Sequence, residues 1–297
     1  MKTAPLSVAL ALLGLNVFSA CNAHLFTAER DFEKVIPVNS QVEVNVKTFN
    51  GNIVVTPTDQ SEIEVLAHAK AFGSTQQEAD DGLEALIPVV DTSTEEVTIE
   101  CKKATSAMMM NSSSVSLEIK VPATWPLNLV TSNGVVTTSQ SRGPVTIDTS
   151  NGKIEVKGAA GPLQLSTSNG KITIEDSSGN IQADSSNGNI HLLGCTLEGK
   201  CKLATSNGSI NVGLSDRAPI SLDASTSNGS IRLNEIDFDV KKKSKNQVAG
   251  VMFGKVVDSA PIASLELDTS NGSITIKPRT EIATPEPTTR DTSAHSN

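Results

Sequence analysis

A serine recurs at one fixed place in a repeated phrase of this chain. Ser132, Ser150, Ser168, Ser186, Ser206, Ser227 and Ser270 each follow a Thr or Ser and precede an Asn-Gly pair. Stacked in register, these serines form a ladder. With the preceding Thr column they make a flat hydroxyl face able to bind a glycan, another polymer or ice. The competing use of the same groups is structural, because Ser and Thr hydroxyls satisfy backbone groups at corners through local hydrogen bonds. Asp148, Asp184 and Asp268 stand two places before three of these serines and raise the question of calcium. The other copies carry Ser, Val or Ala there, and the Gly-Gly-x-Gly-x-Asp rhythm of calcium-binding β-rolls is missing, so no metal and no cofactor is assigned.

Catalysis needs positioned acids, bases or nucleophiles. The histidines are His24, His68, His191 and His295, and two of them lie near the chain ends. His191 follows Ile190 in an outward phase if Ile190 points inward. Glu155, Glu175 and Asp176 are carboxylates of the kind that polysaccharide-active β-helices use, but acids are common on exposed strands. No Ser-His-Asp set can be justified, and no catalytic residue is assigned. Met108-Met109-Met110 reads as a flexible hairpin end whose side chains fold back onto apolar surface.

The elements that carry these residues follow from the repeat. Eight Asn-Gly pairs occur, and from Asn133 the asparagines recur at steps of 18, 18, 18, 20, 21 and 43, the last being two steps or one step with an insertion. A period near 20 marks stacked supersecondary units, each too small to bury its own apolar face. Within a unit such as Gly161 to Ile174, two short alternating runs, Leu163-x-Leu165 and Ile172-x-Ile174, are separated by Asn-Gly, with a Gly-Pro-like turn at the other boundary. Asn133-Gly134, Asn151-Gly152, Asn169-Gly170, Asn187-Gly188, Asn207-Gly208, Asn228-Gly229 and Asn271-Gly272 are read as corners, because Asn and Gly enter left-handed backbone space at least cost.

An antiparallel meander with Asn-Gly hairpins is one solution. A β-solenoid explains more, since equivalent residues of successive coils lie about 4.8 Å apart and asparagine amides can bond along the axis. A meander gives no reason to keep Thr-Ser before each Asn. The expected fold is therefore all-β: a parallel β-solenoid of coils about 18–21 residues long, with an irregular N-terminal α+β cap.

Residues 1–20 read as a signal peptide, with Lys2 before the apolar stretch Leu6 to Leu15, too short to span a bilayer. Phe18-Ser19-Ala20-Cys21 resembles a lipoprotein cleavage box and would make Cys21 the lipidated first residue; cleavage after Ala23 is the alternative. Residues 21–40 read as a lead-in or linker. Residues 41–122 form an N-terminal strand region with one helix, marked by a capping box at Ser74 and Thr75 against Gln77 and Glu78. Repeats fill 123–277, with an insertion at 237–260 suited to shielding one end of the stack. The polar tail 278–297 has too little apolar content to fold. Cys195 and Cys201 are spaced for a small disulfide loop in an oxidising envelope, leaving Cys101 odd.

The net charge of −9 without a basic surface excludes a nucleic-acid groove, and only 3% of residues are aromatic, so stacking platforms for bases or sugars are scarce. Lys241-Lys242-Lys243-Ser244-Lys245 is the single basic cluster, read as a solvated loop beside a capping hairpin, with anionic lipid or polymer as the functional alternative.

The stretch from Val121-Pro122-Ala123-Thr124-Trp125-Pro126-Leu127-Asn128-Leu129 into Thr131-Ser132-Asn133-Gly134 resembles the opening of the bacterial "putative adhesin" family called DUF4097, as do the tandem Thr-Ser-Asn-Gly units that follow. The resemblance covers roughly residues 42 to 277. It implies a β-solenoid in an envelope or surface protein and transfers no catalytic residues. The expected function is a noncatalytic, exported, adhesin-like interaction module, membrane-anchored if Cys21 is lipidated and placed at the outer membrane or surface. Its expected partner is a surface polymer or an envelope protein. A polysaccharide-active β-helix and a purely structural envelope scaffold are the alternatives.

Overall fold

The computed structural model describes residues 26–38, 40–102, 113–214, 219–252 and 263–278. Two 12-stranded sheets face one another across a single apolar core. Each coil contributes one strand to each sheet. Leu163–Thr167 lies in the second sheet, turns at Asn169-Gly170, and continues as Ile172–Glu175 in the first. Neighbouring coils pair in parallel and in register, so Ile154, Ile172, Ile190 and Ile210 form one fully buried row. Leu129, Ile147, Leu165, Ala183 and Leu203 form a buried row in the second sheet. Alternation along each short strand thus feeds one interior, as the period-2 runs predict.

The Asn-Gly corner is held by three ladders. Asn151 Nδ2 donates to Asn133 Oδ1 at 2.7 Å, Asn169 to Asn151 at 2.7 Å and Asn187 to Asn169 at 2.8 Å. One residue position earlier than the serine, Thr167 Oγ1 accepts from Gly170 N at 3.1 Å and donates to the carbonyl of Gly152 at 3.1 Å. Ser185 does the same between Gly188 and Gly170, at 2.9 and 3.2 Å. The glycines form the third ladder, by close approach. A Cβ on Gly170 would stand 1.6 Å from the carbonyl oxygen of Gly152, and one on Gly188 1.6 Å from that of Gly170.

This corrects the conformational reading of the corner. Among the described residues, the motif glycines of the repeats and all the motif asparagines lie outside left-handed space. Gly is required because backbone meets backbone, and Asn because its amide bonds along the axis. Left-handed residues sit at the opposite corner instead, at Gln140 (φ 53°), Gly158 (φ 66°), Asp176 (φ 52°) and Gly194 (φ 68°), spaced 18 apart.

Chain order and stacking order diverge at both ends. The asparagine ladder runs from Asn207 to Asn271 and only then to Asn228, with Asn271 Nδ2 on Asn207 Oδ1 and Asn228 Nδ2 on Asn271 Oδ1, both at 2.8 Å. Strand Ala263–Thr269 accordingly lies between Gly199–Thr205 and Ile220–Thr226. The 43-residue step is therefore a single step taken backwards. At the other end Glu43–Lys47 lies between Glu96–Glu100 and Leu127–Thr131.

Region 41–122 thus supplies two coils as well as the cap, and no boundary falls at 123. The lead-in is also structured. Phe26–Pro37 is an edge strand antiparallel to Glu62–Gly73. Its charges hide the alternation, since Arg30 bonds Glu84 at 2.6 Å and Glu29 meets Lys70 at 2.6 Å across the surface. The helix spans Gln76–Glu84, with Thr75 as N-cap and Glu78 reaching back to Ser74 N at 2.8 Å. The insertion forms the antiparallel hairpin Phe238–Lys243 and Gln247–Met252, which closes the second sheet. The lysine run lies on the outer strand of that hairpin and in its turn rather than in a separate loop. Lysine on an edge strand opposes pairing with other chains. Met108 to Met110 and the tail 279–297 lie outside the described residues.

The two kinds of corner differ in what they tolerate. Gly170→Ala drives a Cβ into backbone and is expected to cost about 3 kcal/mol or more. Gly158→Ala meets its nearest atom at 3.6 Å and should cost about 1–2 kcal/mol, the left-handed penalty alone. Urea denaturation of the two variants checks the order; equal losses would refute the backbone-contact reading.

Candidate functional site

The Thr and Ser columns of the repeated phrase have separate roles. The first column, at Thr149, Thr167, Ser185, Thr205, Thr226 and Thr269, is buried and occupied by the corner hydrogen bonds. The serines that follow point outward. Ser150, Ser168, Ser186, Ser206, Ser227 and Ser270 are exposed, Ser132 is half-buried, and none of their hydroxyls bonds another described residue. The structural duty that the sequence left open between the columns falls on the first, and the serine ladder is free for solvent or ligand.

A shallow groove of about 430 Å³ runs along this ladder on the outer face of the second sheet. One wall is the row Ser168, Ser186, Ser206, Ser270 and Ser227 in stacking order. The floor is the row two residues earlier: Ser166, Asp184, Ala204, Asp268 and Ser225. Short side chains on the floor make the depression, and no aromatic ring lines it. Five coils at about 4.8 Å spacing give it a length near 19 Å.

Asp184 and Asp268 are the charged lining residues of the groove, and Lys202 and Glu266 lie on the row beside them. Lys202 Nζ lies 2.6 Å from Glu266 Oε1 and 3.8 Å from Asp268 Oδ2. Ser225 Oγ donates to Asp268 Oδ1 at 2.6 Å. Partial burial pushes the Asp184 carboxyl above its ordinary range, against the pull of Lys202. Burial also raises Asp268, opposed by the Ser225 hydrogen bond and reinforced by Glu266, while the Lys202 contact holds Glu266 low. Asp148, Asp184 and Asp268 share one outward row but are separated by Ser166 and Ala204. Successive carboxylates therefore stand about 9.6 Å apart, two strand spacings, too far to share one ion. Among the described residues no group of three metal-ligating side chains converges.

The other candidates are dispersed. His191 does face outward, on the first sheet, with Nε2 at 3.3 Å from Asn211 Nδ2; burial and Lys171 lower its pKa. Glu155 is paired with Lys153, and Lys157 stands beside Glu175 in register. Both carboxylates lie on the outer side of the first sheet, away from the groove on the second. Asp176 occupies a left-handed corner. His68 bonds Asp31 at 2.8 Å on the cap. The disulfide expected between Cys195 and Cys201 is not formed. Both side chains are buried outside any disulfide, Cys195 Sγ on the carbonyls of Ile174 and Leu193, Cys201 Sγ on those of Gly179 and Glu198. They fill core positions of opposite strands, which sequence proximity did not reveal. Cys101 is likewise buried, its thiol pushed up to about 12 by burial. Cys21 lies outside the described residues.

Two parallel sheets, an Asn-Gly ladder and a capped stack agree with the match of residues 35–277 to the family described as Toastrack DUF4097. The chain belongs to this family. Solved structures similar to this Toastrack chain include a "putative adhesin" from Bacteroides fragilis NCTC 9343, 12% identical with TM-score 0.46, covering 84% of this chain and 97% of that one. A "putative lipid binding protein" from Parabacteroides distasonis ATCC 8503 is 15% identical with TM-score 0.40, covering 83% and 96%. A "putative cell adhesion protein" from Clostridium sporogenes ATCC 15579 is 12% identical with TM-score 0.31, covering 85% and 100%. At these identities and superpositions none bears on ligand or activity. Among curated proteins none matches the chain. No helix of the described residues is long and apolar enough to cross a membrane.

The Asp184 carboxyl titrates higher folded than unfolded, so its contribution weakens the fold as pH rises through that interval. Asp184→Asn is expected to raise the melting temperature at neutral pH. The gain should disappear below the unfolded carboxyl pKa of about 3.9. Thermal melts of both proteins across that range check it; a loss at neutral pH would mean that Lys202 dominates.

Proposed function

We propose that this Toastrack protein is a noncatalytic interaction module of the cell envelope or surface that holds an extended polar polymer along its coil axis. The observation that carries the reading is the serine ladder: exposed, unengaged hydroxyls line one wall of a groove that crosses five coils. A regular row of donors and acceptors on a rigid sheet suits a repeating partner better than a compact one. On the row beside the groove floor, Lys202 lies 2.6 Å from Glu266 and 3.8 Å from Asp268, and this pairing of the acids with an ammonium group supports binding over hydrolysis. Export and anchorage rest on the leader-like residues 1–20 and on Cys21 as the lipidated residue.

Two measurements test the reading. Ser186→Phe with Ser206→Phe fills the centre of the groove. On a panel of soluble cell-surface polysaccharides, a polymer retained by wild type should bind the double variant at least about tenfold more weakly, a loss of roughly 1.4 kcal/mol. Unchanged melting and unchanged binding together would show that the serine face is scaffold. Anchorage is read by growing cells with a fatty-acid analogue. Wild type should carry label in the membrane fraction and Cys21→Ala should lose both; label absent from wild type would mean ordinary secretion.

A further inference from the structure

The outward row that forms the groove floor, continued one coil beyond the groove to Asp148, carries an alternation that chain order conceals. Along the chain the outward position reads Asp148, Ser166, Asp184, Ala204, Ser225, Asp268. Because the last coil is inserted between the Asn207 and Asn228 coils, the stack reads Asp148, Ser166, Asp184, Ala204, Asp268, Ser225. A carboxylate thus appears on every second coil over six coils, beside a serine hydroxyl on every coil. The carboxylate period is about 9.6 Å and the hydroxyl period about 4.8 Å.

From this double period, and resting on the groove as the binding face, we infer that the ligand is an unbranched β-1,4-linked glycan of amino sugars, laid along the coil axis with one disaccharide per two coils. In such a chain each sugar is turned over relative to the last, so equivalent substituents return to the same edge once per disaccharide. That repeat is slightly longer than two coils, so equivalent edges stay near the carboxylate row over the about two or three disaccharides that the groove can hold. Amines on one edge meet the Asp148, Asp184 and Asp268 row, while hydroxyls of every sugar meet the serines.

Other linear polymers fit less well. An extended peptide repeats at about 6.8 Å, two residues of 3.4 Å, and drifts out of phase within two coils. A polyproline II chain repeats at about 9.3 Å but is held by aromatic-lined grooves, and this one has no aromatic lining. Nucleic acid is repelled by the carboxylates. The charged neighbours on the next outward row are Lys202, Glu266 and Asp223. Lys202 is closest to Glu266 at 2.6 Å and stands 3.8 Å from Asp268, one ammonium group beside a floor row with several carboxylates, so that row keeps its negative sign.

The test uses the full chain and β-1,4-linked glucosamine dimer, tetramer and hexamer in calorimetry, with α-1,4-linked glucose hexamer as the out-of-register control. Affinity should climb from dimer to hexamer, and the control should not bind. Asp184→Asn with Asp268→Asn should weaken the hexamer roughly tenfold, two charge-assisted hydrogen bonds on an exposed face. Ala204→Asp, folded by its melting curve, separates register from bulk charge. The added carboxylate meets the edge of a sugar that carries no amine, so the hexamer should bind no more tightly. Tighter binding to Ala204→Asp, or hexamer binding no better than dimer, overturns the register. If another polymer binds and is lost only in the Ser186→Phe, Ser206→Phe variant, the groove stands and the amino-sugar assignment falls.

Discussion

Backbone meeting backbone at the glycine corner governs this molecule. In coil after coil the Asn-Gly glycine comes so close to the carbonyl of the glycine beneath that any Cβ would lie 1.6 to 2.1 Å from that oxygen. Only Gly can occupy the corner, and the contact sets successive coils one strand spacing apart with no lateral freedom. That registration lets each Asn amide reach the next and each Thr hydroxyl bridge two glycines. Buried hydroxyls cost free energy unless paired, and here the corner pairs them along the axis. The isoleucine and leucine rows then stack because the corner already has.

A stack of parallel strands has two open ends, and exposed ends invite pairing with other chains. This fold covers most of its edges with antiparallel segments: Glu62–Gly73 and Phe26–Pro37 on the first sheet, Val89–Thr92 and the Phe238–Lys243 hairpin on the second. It also places the first and last coils of the chain second from each end of the stack. Fraying from a terminus must therefore break two strand interfaces instead of one. Leu267, at the centre of the inserted coil, is fully buried between Leu203 and Ala224. The coil that arrives last along the chain is thus part of the interior.

The sequence displayed the corner openly, since a phrase of four residues repeated at a near-constant step has few structural meanings. Sheet direction, the amide ladder and the two capping regions follow from it. Stacking order was not legible, because a 43-residue gap fits an insertion, a doubled coil or a coil turned back between its predecessors. The last of these depends on which strand faces the inserted coil, a nonlocal fact. The second corner was equally hidden: its left-handed residue is Gly in two coils but Gln140 and Asp176 in others, so no residue type marks it. Cys195 and Cys201 looked like partners because they are near in sequence, yet they close different strands of the core. Thr and Ser looked equivalent until burial assigned the bridging to one column and the surface to the other.

That division of labour joins fold to function. Because the buried hydroxyl satisfies two backbone groups by itself, its neighbour is released at every coil, always at the same height. The resulting face has a period imposed by the backbone, which side chains can decorate but not alter. Recognition by such a face cannot depend on one deep pocket; the groove is shallow and each exposed hydrogen bond contributes only about 0.5–1.5 kcal/mol. Affinity must accumulate along the axis, and only a partner whose own repeat is commensurate with the coil spacing accumulates it without losing phase. The backward insertion of the Asn271 coil then matters chemically, because it brings Asp268 beside Ala204 and completes the alternating row. A device that protects the end of the stack also sets the charge pattern of the groove floor.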